Sequence, residues 1–269
     1  MRTIRVERGN LILREAAGTD EIRACQRLRY RVFYEELGAK AESEAHAIGM
    51  DADQFDAICD HLVVIQRGKS TDENAILLAD GELIGTYRLL RQEVAERHGG
   101  FYTQSEFDIA PVIASHPNLR FLELGRSCVL KPFRTKPVVE LLWQGIWDYV
   151  RFHGLDVMLG CASLDGTDPA KHAAALAFLA NSAAAPAEWH VQAHPSLYVD
   201  MKRVPADELD MREALRQLPP LIKGYLRLGC YIGDGAIVDH QFNTVDVLII
   251  LPVSAINQRY FSHFGRPND

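Results

Sequence analysis

No stretch of this 269-residue sequence approaches the ~18 consecutive apolar residues of a membrane-spanning helix, and Met1 leads into Arg-Thr-Ile-Arg-Val-Glu-Arg rather than an apolar signal core. We therefore expect neither a span nor secretion. Cysteine is scarce and badly placed for cross-linking. The five (Cys25, Cys59, Cys128, Cys161 and Cys230) are odd in number, scattered and never spaced Cys-x-x-Cys, which argues against a disulfide framework and against a zinc site. A reducing, cytoplasmic setting is expected, with peripheral contact at the inner membrane left open. Positive charge is also short, 29 Lys and Arg against 36 Asp and Glu, so the general phosphate attraction behind nucleic-acid binding has no overall support. No metal and no resident cofactor are expected.

What is present is enough apolar sequence, 48%, to bury a substantial core. Acids at positions 20 and 21 behind Thr19, with Ile22, Cys25, Leu28 and Val32 in a stripe, predict a helix to about Leu37, closed by Gly38. His61 to Gln66, Ala75 to Ala79 and Leu83 to Leu90 read as strands. Asp80-Gly81 between the last two reads as a hairpin turn, because both residues tolerate positive φ. A strand from Leu119 to Leu130 should lead into a helix from about Lys136 to His153, then a strand from Val157 to Ala162 and a helix from Pro169 to about Ala180. After Pro205 the texture changes to a helix from Glu208 to Leu218, the pair Pro219-Pro220, and Gly-rich and aromatic sequence. We read residues 1–204 as an α/β core with a mixed central sheet flanked by helices, and 205–269 as a C-terminal extension packed on it.

Several ionised residues sit in apolar company, where each needs a reason. Glu123 and Arg126 lie in the expected strand Arg-Phe-Leu-Glu-Leu-Gly-Arg. Strict alternation would put them on opposite faces, so a local irregularity at Gly125 is predicted if they pair. Arg88, between Tyr87 and Leu89, carries a guanidinium fork suited to a carboxylate. Asp53 and Asp56 bracket a phenylalanine and either bind a ligand or cap a helical turn. Arg29, one turn before Phe33, reads more readily as a solvent-facing helix residue. Lys131, Arg134 and Lys136 form a basic turn at a helix start, able to receive a phosphate or an acidic partner, or simply solvated. Ser127, Cys128 and Cys161 have no evident base beside them and read as packing residues.

Taken in order, Arg29-Tyr-Arg-Val-Phe33, Asp53-Gln-Phe-Asp56, Gly85-Thr-Tyr-Arg88 and Glu123-Leu-Gly-Arg126 resemble the motif set of the acyl-homoserine lactone synthases and their relatives, which have the GNAT acyltransferase fold. With Gly125 to Val129, Leu159 to Ser163, Lys223 to Gly229 and Phe242 to Leu248, the chain is most similar to the bacterial L-ornithine Nα-acyltransferases of ornithine lipid synthesis. That resemblance implies transfer of a 3-hydroxy fatty acyl group from acyl carrier protein to the α-amino group of ornithine. In this reading Glu123 accepts the amine proton, positioned by Arg126. Asp53 and Asp56 hold the acceptor's ammonium groups, and Arg88 or Arg29 its carboxylate, beside Phe33. The donor thioester meets the backbone of Ser127, Cys128 and Val129, and the carrier protein meets Lys131, Arg134 and Lys136.

One departure separates the chain from the lactone synthases: the tryptophan usual soon after the first-motif Phe is absent, and Ala39 stands near its place. Arg134-Thr-Lys-Pro-Val-Val also lacks the glycines of a coenzyme A pyrophosphate loop, which favours a carrier-protein donor. Two alternatives remain. One is a homoserine lactone synthase using S-adenosylmethionine. The other is a non-enzymatic lipid or membrane-surface protein, using aromatics such as Tyr225, Tyr231, Phe242, Tyr260, Phe261 and Phe264.

Overall fold

The computed structural model describes residues 4–40, 47–68 and 70–256. They fall into two compact units, Met1–Val94 with Leu124–Gly154, and Ala95–Glu123 with Leu155–Asp269.

The first unit is built on antiparallel strands β1 (Arg5–Arg8), β2 (Leu11–Glu15), β3 (Asp60–Gln66), β4 (Leu77–Leu78) and β5 (Gly81–Arg91), followed by the second half of β6 (Phe121–Val129). The order is β1-β2-β3-β5-β6, with β4 folded back on β5. Gly81 in that hairpin has φ +142°, and a Cβ there would collide with the Gln66 carbonyl. Helix α1 (Gly18–Tyr30) packs on β5 and β3, burying Ala24, Cys25 and Leu28 with Ile12, Val63, Ile65 and Leu83. Thr19 does not cap it. The Glu21 carboxylate instead accepts from the Ala17 amide, and both oxygens bind Arg14. The chain continues as a π-helical turn, Arg31–Glu36, and stops at Gly38 with φ +75°. Helix α2 (Lys136–His153) spans the predicted residues and lies on β1, β2 and β3. Its Gly145 admits Leu13 so closely that a Cβ would strike it.

In the second unit the start of β6 pairs in parallel with β7 (Val157–Asp165), from Phe121↔Val157 to Glu123↔Leu159. On the other side of β7 comes β9 (Thr244–Pro252), antiparallel from Val157↔Pro252 to Asp165↔Thr244, and then β8 (Tyr231–Asp239). Helix α3 (Ala173–Ser182) packs on β8 and on α4 (Met211–Gln217), and α5 (Pro220–Leu228) on β9. The stretch read from sequence as an extension thus supplies two sheet strands, and residue 204 falls inside this unit rather than at a boundary. Helix α4 ends at Gln217, ahead of Pro219-Pro220 as expected, and Pro220 also begins α5, since proline lacks only an N–H that the first turn leaves unused. Tyr225 is buried here, and Tyr231 and Phe242 are partly buried; residues 260, 261 and 264 lie outside the described residues. No helix of the described residues is long and apolar enough to cross a membrane.

Candidate active site

Three arginines and three aspartates meet in the first unit. Asp53 opens a 3₁₀ turn, Gln54–Ala57, whose geometry follows from a capping box: Asp53 accepts from the Phe55 amide, and Asp56 accepts from the amide of Asp53. The two carboxylates therefore cap, as one sequence reading had it, and still face inward to bind arginine. Arg29 grips Asp56 with both Nη atoms, at 2.8 and 2.7 Å, and its Nη2 also donates to the Asp51 carbonyl. Its Nε stands 2.8 Å from Asp51 Oδ2, an ion pair off the line of a hydrogen bond. The expectation of a solvent-facing Arg29 fails, because the residue has 0% exposure. A guanidinium can be buried so only where carboxylates surround it.

Arg88 Nη1 reaches Asp53 at 2.6 Å and Asp56 at 3.1 Å, with its guanidinium 5.6 Å from the Phe55 ring centre. Arg126 closes the network, its Nη2 3.3 Å from Asp53 and its Nε 3.4 Å from Asp51. The irregularity predicted at Gly125 falls one residue later, on Arg126 itself, which takes a left-handed φ of +51°. Such a conformation costs about 1–3 kcal/mol in a non-glycine residue, and two aspartates hold it there. The Asp53 and Arg126 side chains, 24% and 13% exposed, form the solvent-reachable edge of a network that is otherwise dry. Burial alone would push the Asp56 carboxyl up. Hydrogen bonds and charge from Arg29, with the charge of Arg88, outweigh burial and hold it well below the usual range. His61, whose Nε2 lies 3.2 Å from the Asp56 carbonyl, is lowered by burial and held neutral beside two arginines.

Phe33 is partly buried and packs against the core cluster of this unit that includes Leu28, Val32 and Cys128. The basic turn is only in part available. Arg134 is committed to Glu36 at 2.6 and 2.8 Å and to the Val129 carbonyl, and Lys136 lies 3.6 Å from Glu140. Lys131 is exposed. The start of α2 has no side-chain cap from Thr135, so its N–H groups remain able to meet an anion. Cys128 is buried, Ser127 and Val129 partly so, and burial pushes the Cys128 thiol far up, against any nucleophilic role.

Glu123 belongs to the second unit. Its two oxygens accept from the Tyr102 amide at 3.1 Å and the Thr103 amide at 2.7 Å, donors offered by a 3₁₀ turn, Tyr102–Ser105. The two amide contacts, one to each oxygen, fix the orientation of the carboxylate. This cradle was not legible in the sequence, because backbone donors carry no residue signature. Asp51, which pairs with Arg29 and Arg126, was not singled out in the sequence.

A mixed sheet, with β6 and β7 parallel among antiparallel strand pairs and helices packed on it, is the frame of a GNAT-class acyltransferase. Residues 28–144 match the acetyltransferase (GNAT) domain family. The chain is 51% identical over 257 residues to the L-ornithine Nα-acyltransferase of Agrobacterium fabrum, covering 96% of this chain and 86% of that protein. It is 50% identical to that of Rhizobium meliloti, covering 95% and 84%, and 39% identical to that of Rhodobacter capsulatus, covering 94% of each. It belongs to the L-ornithine Nα-acyltransferase family. Among solved structures, an N-acyl amino acid synthase from uncultured soil microbes aligns over 93% of this chain and 97% of its own, at 13% identity and a TM-score of 0.49.

Proposed function

We propose that this protein transfers a 3-hydroxy fatty acyl group from acyl carrier protein to the α-amino group of L-ornithine, giving lyso-ornithine lipid. The observation that carries the acceptor is the 51% identity, over nearly the whole chain, to an enzyme named for that reaction. The chemistry requires the amine to lose a proton before it attacks, since an ammonium has no lone pair. Glu123, oriented by the Tyr102 and Thr103 amides, takes that proton directly or through a water. Nitrogen attacks the thioester carbonyl, the tetrahedral oxyanion forms and collapses with breaking of the C–S bond, and the second proton lost from nitrogen passes to the departing sulfur, which leaves as the pantetheine thiol. Backbone N–H groups at Ser127 to Val129 are the donors we assign to the oxyanion.

The ion pairs of Arg126 with Asp51 and Asp53 hold the second half of β6 in its left-handed kink, next to the backbone of Ser127 to Val129. Arg29, Arg88 and Asp56 are positioning residues in this account, too enclosed by one another to grip a substrate. A carrier-protein donor is supported by the exposed Lys131 beside the uncapped start of α2, where a single pantetheine phosphate would find N–H groups and positive charge. Glu123→Gln keeps the side chain's shape and one of the two amide contacts, since its NH2 group cannot accept from the second N–H, and removes the base. Its turnover should fall about 10²–10⁴-fold, with unfolding and acyl-donor affinity close to wild type. Near-normal turnover would remove Glu123 from the mechanism.

A further inference from the structure

Asp51, Asp53 and Asp56 are already engaged by Arg29, Arg88 and Arg126, so the positive side chain of an ornithine-like acceptor needs carboxylates of its own. The second unit has them. Glu106, Asp239 and Asp246 each place a carboxylate oxygen within 4.8 Å of the others. Glu106 and Asp246 are buried, and Asp239 is partly buried, its Oδ1 fixed by the amides of Gln241 and Phe242.

The cluster is linked to Glu123 by short contacts. Thr103, whose amide binds Glu123, has its hydroxyl 3.9 Å from Cys161 Sγ, and Cys161 Sγ donates to Glu106 Oε2 at 2.9 Å. Along β7, Ser163 and Asp165 are exposed and Cys161 partly buried, while Ala162 and Leu164 are buried, so the cluster's face opens to solvent. A second observation marks this face. Thr244 Oγ1 has no hydrogen-bond partner among the described residues although the residue is only 9% exposed. Thr244 stands opposite Asp239 and two positions before Asp246, so strand alternation aims its hydroxyl into the same group.

We propose that Glu106, Asp239 and Asp246 hold the side-chain ammonium of the acceptor amino acid, with the Thr244 hydroxyl beside it, and so select ornithine over amino acids with neutral side chains. This rests on the acceptor named in the proposed function. An ammonium is a compact charge with three donors on a tetrahedral nitrogen, which suits three converging carboxylate oxygens better than a planar guanidinium would. Bringing those carboxylates together is unfavourable by itself, and a cation between them turns the repulsion into attraction.

Calorimetric titration tests this without an acyl donor, comparing L-ornithine with L-norvaline, which has the same carbon chain but no terminal amine. Wild type should bind ornithine more tightly. Glu106→Gln, Asp246→Asn and Asp239→Asn should each weaken ornithine about 10- to 100-fold and leave norvaline unchanged. Asp239→Asn, at the partly exposed edge, carries the test if a buried variant does not fold. Variants that bind ornithine like wild type, or that lose both amino acids equally, overturn the proposal. So does saturable Mg²⁺ or Ca²⁺ binding that competes with ornithine and disappears in the variants. Acyl transfer is measured separately, so a wild type that discriminates ornithine from norvaline but never acylates ornithine would defeat the proposed function and leave this assignment standing.

Discussion

Arg29 and Asp56 form a two-pronged pair, Nη1 to Oδ1 at 2.8 Å and Nη2 to Oδ2 at 2.7 Å, with side chains 0% and 4% exposed. Neither charge can be removed alone without leaving the other in a dry interior. Arg29→Ala should therefore lower unfolding stability by about 3–5 kcal/mol, measured by urea denaturation. Arg29→Lys should recover only part of it, because an ammonium cannot reproduce the fork. A loss under 1 kcal/mol for the alanine variant, on the order of a surface pair, would show that the network does not hold this unit together.

Acid should destabilise the protein in two steps. His61 has a folded pKa below its unfolded value of about 6.5, so its contribution is complete above that pH and is lost as pH falls below it. Asp56 is also depressed, from an unfolded value of about 3.9, so its contribution persists through the first step and is lost below that pH. Urea midpoints between pH 8 and pH 3 should show both windows. His61→Gln should flatten the upper one and Asp56→Asn the lower. Unchanged pH profiles in both variants would contradict the placement of these groups.

How far this network could be read from sequence differs by residue. Glu123, Arg88 and Asp53 announced themselves as charges in apolar or motif surroundings, and the helix Lys136–His153 was legible from its apolar stripe. Arg29 was misjudged because its burial depends on a loop 22 to 27 residues away that brings Asp51 and Asp56 over it. The strands β8 and β9 were missed for different reasons. β8 carries Gly233 and Gly235 at a register shift, which breaks the strand pattern. β9 is buried at every position, so it shows no alternation at all. The acidic cluster of Glu106, Asp239 and Asp246 had no local signature, because Glu106 lies far along the chain from the β8-β9 hairpin that carries the other two.

The cysteines should be unreactive in the folded protein. Burial pushes Cys25 up to about 11 and Cys230 to about 12, and drives Cys128 and Cys161 up as well, Cys161 further under the charges of Glu106 and Asp246. With a thiol-reactive chromogenic disulfide at pH 7.5, native protein should show almost no fast-reacting thiol, and urea should release all five. A rapidly titrating thiol in the native state would reopen covalent catalysis.

Carrier-protein docking predicts a charge effect at one exposed position. Lys131→Glu should raise KM for an acyl carrier protein donor about tenfold at low salt, with the difference shrinking as ionic strength rises. A short acyl-pantetheine donor should be used equally by both proteins. Equal loss with both donors would move Lys131 from docking to folding.

Mass spectrometry of the product formed from 3-hydroxyacyl carrier protein, with L-ornithine and S-adenosylmethionine supplied together, addresses the central claim most directly. The account predicts one amide, fragmenting as Nα-acyl ornithine with the side-chain amine free, and one carrier thiol released per amide formed. An acyl-homoserine lactone, an amide on the side-chain nitrogen, or no acylated amino acid at all would contradict it.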